Sequence, residues 1–203
     1  MSLELYAAYL VACVLIVLLP GPTMTLIIAN SLAHGMRAGL LTAAGNQVGL
    51  ALIIAAVAIG LASAIETMGW LFDWVRLAGA AYLVWLGWQL IRVSGSTGPA
   101  DRAPKPRGGF LLQSLLVSLS NPKTLIFFGA FIPQFIDPAG DYARQIVLLG
   151  LTAMAVAAAG DSLYAILAGR AGQVLSQARV RLISRISGAF LIGGGIWLAL
   201  QRR

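Results

Sequence analysis

The chain has 203 residues, 59% of them hydrophobic and only 10% charged, with a formal net charge of +7. A soluble domain carries about 25% charged residues, so this composition excludes one and points to a membrane protein. The positive charge invites a nucleic-acid reading, but it lies in short segments between apolar runs, where basic residues set topology.

Six runs approach or exceed the roughly 20 residues needed to cross a hydrocarbon core of about 30 Å. Period-two alternation is absent, so they are predicted as helices rather than barrel strands. The predicted spans are 4–30 (broken), 38–63, 70–91, 110–133, 144–169 and 183–200.

The first run starts "MSLELYAAYLVAC", without a basic leader, so it is expected to stay as a helix. The single cysteine, Cys13, lies inside it and cannot form an internal disulfide. The run then breaks at "LLPGPTMTLIIAN". Proline lacks a backbone donor and clashes with the carbonyl four residues back. Pro20, Gly21 and Pro22 together should break the helix. In hydrocarbon such a break is tolerated where it lines a cavity. The freed carbonyls and the new N-terminus can then hold polar groups, with Thr23 and Thr25 adding hydroxyls. A packing kink is the alternative, since proline is common in membrane helices.

The second span carries Asn46 and Gln47 in "AAGNQVG", roughly 12 Å below its cytoplasmic end. Gly35/Gly39 and Gly45/Gly49 are small-xxx-small pairs suited to close helix packing. His34 reads as a loop residue. After the third span comes "SGSTGPADRAPKPRGG", a flexible linker by composition. It divides one domain, 1–203, into a first repeat at 1–92, a linker at 93–109 and a second repeat at 110–203. "RLAGAAYLVWLGW" from Arg76 matches "RISGAFLIGGGIW" from Arg185. Pro22 with "TMTLII" matches Pro122 with "KTLIFF". Three spans per half make the second half inverted, as in many secondary transporters. The expected fold is an all-α membrane protein, six transmembrane helices in two inverted three-helix repeats, with helices 1 and 4 broken.

The fourth span breaks at "SLSNPKTLIFF". Asn121, Pro122 and Lys123 fall near the bilayer midplane. A lysine there costs roughly 2.5–3.5 kcal/mol on insertion scales, so it is expected to face a cavity with a partner. Asp161, deep in the fifth span, is the expected partner, at a depth where Asn46 and Gln47 could also meet it. A carboxyl there could take up and release protons as an antiporter requires; a structural ion pair locking spans four and five is the other reading. The glycines of span six invite an interface, and a homodimer is a candidate assembly.

Loops one, three and five hold Arg37; Arg92, Arg102, Lys105 and Arg107; and Arg170, Arg179, Arg181 and Arg185. The opposite side holds Arg76, Arg144, Arg202 and Arg203. The positive-inside rule places those three loops in the cytoplasm, although the Arg202–Arg203 pair argues the other way.

These stretches also carry a resemblance. "LLPGPTMTLIIANSLAHGMRAGLLTAAGNQVG", "LAGAAYLVWLGWQLIR" and "GFLLQSLLVSLSNPKTLIFFGAFIPQFI" resemble the LysE/RhtB family of amino-acid exporters over nearly the whole chain. The resemblance implies a small multi-pass translocator of the inner membrane that exports amino acids or related metabolites by proton antiport. Its motifs map onto Pro20, Gly21 and Pro22, then Asn121, Pro122 and Lys123, with Asp161 at the acidic position of the fifth span. Asn46–Gln47 departs from the small or acidic residues often found there, which leaves the substrate open.

Other functions fit less well. A metal-ion exporter would need clustered Cys, His or carboxylate ligands. An intramembrane protease would need two membrane aspartates or an HExxH helix, so no enzyme is expected. A non-transporting scaffold or assembly subunit would not need two broken helices around an ionisable pair. The expected partners are a small-molecule substrate, an amino acid, and the lipid bilayer. No cofactor, resident metal or nucleic acid is expected.

Overall fold

A computed structural model describes residues 3–58, 69–94, 105–137, 140–174 and 176–200. Among them there is no strand. The first run is α1, Leu3–Leu18, followed by α2, Pro22–His34. Their axes bend by 50° at residues 19–21. Pro22 takes the first helical position of α2, where its missing N–H leaves no internal bond unmade. Gly35 closes α2 at φ +89°, a conformation L side chains rarely adopt, and lets α3, Met36–Ala58, start at the next residue.

Next comes α4, Gly69–Ser94. Predicted residues 59–63 of span two, and linker residues 95–104, lie outside the described residues. The fourth run is broken into α5, Gly109–Leu119, and α6, Pro122–Ile126. Beyond α6 the chain widens into a π turn at Phe127–Phe131 and tightens into a 3-10 turn at Ile132–Phe135. Pro133 has no N–H to extend an α-helical ladder, which accounts for the change of pitch. α7, Tyr142–Val174, has 33 residues rather than the predicted 26, and α8, Gln177–Leu200, begins six residues before the predicted span.

Among the described residues three helices, α3, α7 and α8, are long and apolar enough to cross a bilayer, and the bent pair α1–α2 makes a fourth. α4 has the length. The fourth run is present as short pieces, none of them long enough alone. Large apolar side chains such as Val11, Leu15, Leu52, Leu151 and Leu163 stay exposed along the long helices, as a lipid-facing surface requires.

α3 packs against α7 and α5, α2 against α7 and α3, and α4 against α8. Close approach explains the glycines. A methyl group at Gly45 would press on the backbone of Leu111, and one at Gly49 on Ser118, so α3 and α5 touch backbone to backbone. One apolar core, built on Tyr9, Leu50, Phe127, Ile146 and Leu149, joins α1, α3, α7 and the π turn. A second, on Leu26, Leu83, Val117 and Leu191, joins α2, α4, α5 and α8. The two breaks face each other between these cores.

Candidate functional site

Backbone accounting defines the site. In an unbroken helix the Ile16 carbonyl would accept from residue 20 and the Leu18 carbonyl from residue 22. Both positions are prolines and have no N–H to give. The Lys123 ammonium fills part of that gap, donating to the Ile16 carbonyl at 3.0 Å and the Leu19 carbonyl at 2.9 Å. A cation at a helix C-terminus also meets the negative end of its dipole. The lysine stem runs beside Gly21, where an added Cβ would lie 3.2 Å from Cε, so the glycine makes room for it.

The second break is capped by its own sequence. Asn121 Oδ1 accepts from the Lys123 backbone N–H at 3.0 Å, an N-cap with Pro122 at the first helical position. Asn121 Nδ2 donates to Thr23 Oγ1 at 2.9 Å and ties the two breaks together. Thr25 turns back on its own helix, its hydroxyl lying 2.9 Å from the Pro22 carbonyl and 3.1 Å from that of Gly21.

Behind these contacts lies a cavity of about 70 Å³, enough for several water molecules. Its polar wall is Thr23, Asn46, Asn121, Lys123, Thr124 and Asp161. Much of the rest is apolar, including Met24, Leu50, Phe127 and Phe128. Asn46 on α3 donates from Nδ2 to Asp161 Oδ2 on α7 at 2.7 Å. The other end of that amide, Oδ1, is buried without a hydrogen-bond partner. Both residues are 6% exposed.

Sequence reasoning pairs Lys123 directly with Asp161. They line one cavity, but the ammonium's hydrogen bonds go to α1 carbonyls and the carboxylate's goes to Asn46. Gln47 is not among the cavity residues, and its Nε2 is buried elsewhere without a partner. Thr25 does not line the cavity either. Pro20, Gly21 and Pro22 line a wider apolar cleft of about 670 Å³ on the other side of Lys123, against Phe190 and Trp197 of α8.

A second polar cluster escapes the sequence reading. Asn30 Nδ2 lies 3.0 Å from Thr42 Oγ1 and 3.0 Å from Gln113 Oε1, joining α2, α3 and α5 about one turn from Asn46 toward Gly35. Ser114 and Ser118 are fully buried beside it, their hydroxyls without partners. The spacing of Ser114, Ser118 and Asn121 puts them on one helical face, a signal legible in "QSLLVSLSN". At the other end, Tyr9, Phe127, Phe131 and Phe135 cluster with ring centroids 4.9–6.0 Å apart, Phe127 stacked on Tyr9 and Phe131, and Phe135 edge-on to Tyr9. Among the described residues no three of His, Cys, Asp or Glu come together as a metal site would need.

A family model described as LysE type translocator matches residues 14–202. The chain is 32% identical to an uncharacterized membrane protein of Vibrio cholerae over the whole of both chains. It is 32% identical to the homoserine/homoserine lactone efflux protein of Salmonella typhimurium, over 100% of this chain and 99% of that one. It is 39% identical to the leucine efflux protein of Klebsiella pneumoniae, over 65% of this chain and 63% of that one. No solved structure matches the chain at a significant level.

Proposed function

The chain belongs to the LysE type translocator family, and from that membership we propose that it is a secondary transporter of the inner membrane, exporting amino acids or related small metabolites in exchange for protons. Full-length similarity to an efflux protein supports the export direction, and the leucine efflux relative supports amino acids as cargo. In this reading the six predicted spans form two inverted repeats, and the loops after α2, α4 and α7 face the cytoplasm.

One observation carries the proposal: two proline-broken helices meet, through Asn121 and Thr23, at a buried polar cavity that holds one carboxylate and one ammonium. Ionisable residues at membrane depth mark ion and substrate pathways. Asp161 is the proton carrier and Lys123 the fixed positive charge that faces it across the cavity. The Asn30–Thr42–Gln113 contacts close the cytoplasmic end, and the aromatic stack closes the opposite one.

The test uses protein in proteoliposomes with an imposed pH gradient. Wild type should drive labelled amino acid uphill. Asp161→Asn keeps the shape but cannot titrate. It should abolish gradient-driven accumulation while leaving measurable exchange at raised substrate concentration. Full pH-driven transport by Asp161→Asn would end the proton-carrier role.

A further inference from the structure

The Asn46–Asp161 pair bears on the identity of the cargo, an inference that rests on the export reading. An ionised carboxylate only accepts hydrogen bonds, so the 2.7 Å contact makes the amide nitrogen its donor. The amide oxygen is then left over. It belongs to a residue 94% buried at the cavity wall and has no partner. An unmet buried acceptor costs about 1–3 kcal/mol, and it adjoins a carboxylate. A group that donates several hydrogen bonds and carries positive charge suits both; an ammonium does.

Lys123 cannot be that group, because two of its three N–H bonds already go to Ile16 and Leu19. Its third N–H remains, as does the hydroxyl proton of Thr23, whose oxygen accepts from Asn121. Both residues line the same cavity and can serve an anionic group. The remaining wall offers Met24, Leu50, Phe127 and Phe128 and, among the described residues, no carboxylate besides Asp161 and no basic residue besides Lys123. The other titratable side chain there is the Cys13 thiol.

We propose that this site, opened beyond the roughly 70 Å³ of its present cavity, selects α-amino acids with uncharged, apolar side chains. The substrate ammonium donates to the Asp161 carboxylate and to Asn46 Oδ1. Its carboxylate accepts from Lys123 and Thr23, and its side chain lies on the Met24–Leu50–Phe127–Phe128 wall. A basic side chain would bring a second cation to a wall with no acceptor of matching charge.

Counterflow in proteoliposomes tests this with labelled leucine, methionine and lysine. Leucine and methionine should exchange and lysine should not. Against labelled leucine, 3-methylbutylamine, which keeps the amine and lacks the carboxylate, should compete at least tenfold better than 4-methylpentanoate, which lacks the amine. Asn46→Leu should weaken leucine at least tenfold. The wild-type competition arm stands even if that variant does not fold. Exchange of lysine as readily as leucine, or equal competition by the two analogues, overturns the inference and leaves export intact. Exchange of none of the three overturns the inference; the export reading falls only if the imposed pH gradient also drives no other amino acid or related metabolite.

Discussion

Replacing Lys123 with methionine isolates what the lysine does at the first break. Methionine keeps an unbranched stem beside Gly21 and removes the two ammonium–carbonyl bonds at 3.0 and 2.9 Å. Hydrogen bonds to charged groups contribute about 1.5–3 kcal/mol each, so roughly 3–6 kcal/mol is lost. Removing a lysine from membrane depth returns roughly 2.5–3.5 kcal/mol. The net effect therefore runs from about zero to a destabilisation of about 3.5 kcal/mol. The informative comparison is with Pro20→Ala plus Pro22→Ala. Those changes restore the N–H groups that Ile16 and Leu18 lack, so the lysine loses its Ile16 acceptor to the backbone and keeps Leu19. On that background Lys123→Met should cost less by at least one bond, about 1.5–3 kcal/mol. Equilibrium unfolding of the four proteins in detergent micelles, a double-mutant cycle, reads this coupling directly. Effects that add within about 0.5 kcal/mol would refute the idea that the lysine answers the carbonyls the prolines release. Pro20→Ala with Pro22→Ala should also remain inserted yet export almost nothing, and normal export at equal abundance would make the motif a packing kink.

Other contacts give three more expected outcomes. Gly45→Val should destabilise by about 1–3 kcal/mol through overpacking against the Leu111 backbone, whereas Gly193→Ala, mid-helix with nothing within 4 Å, should be no less stable than wild type. Tyr9→Phe removes the donor to the Leu149 carbonyl at 2.8 Å, and the micelle unfolding assay should show a loss of about 0.5–1.5 kcal/mol. In a Cys13→Ser background, a membrane-impermeant thiol reagent added to intact cells should label Asp141→Cys and spare Lys105→Cys, both exposed positions; the reverse pattern would invert the orientation.

Some of this site is legible in the sequence because its causes are local. Pro20, Pro22 and Pro122 lack N–H groups in any environment, so both breaks can be placed to the residue. Polar residues deep in apolar runs, such as Asn46, Asn121, Lys123 and Asp161, stand out on composition alone. The partners are harder. A charge in a sequence suggests an opposite charge, which matches Lys123 to Asp161. Yet the same proline logic shows that Ile16 loses its donor, and that carbonyl is what the ammonium meets. Thr25 looks like a cavity hydroxyl because sequence gives its proximity to the break but not its rotamer, which bends back to Gly21 and Pro22. Asn30, Thr42 and Gln113 escape notice because they lie in three separate runs and nothing in the sequence says that these meet. Their meaning emerges only when α2, α3 and α5 bring them within 3.0 Å.

The distribution of satisfied and unsatisfied groups bears on how a carrier could work here. Unpaired carbonyls in hydrocarbon cost several kcal/mol each. If cargo alone answered those of the broken span, the empty protein would be its least stable state. Instead the protein supplies its own partners: Lys123 for Ile16 and Leu19, Asn121 for α6 and Thr23, Thr25 for Gly21 and Pro22. The breaks are therefore partly satisfied with nothing bound. Along the cavity wall the unmet acceptor is Asn46 Oδ1, on the face where α3 meets α7. A ligand shifts a conformational equilibrium only through interactions that differ between the states. Cargo meets that acceptor with its ammonium at the α3–α7 contact and the Lys123 and Thr23 donors with its carboxylate, so the approach of α3 and α7 is one step that substrate can bias.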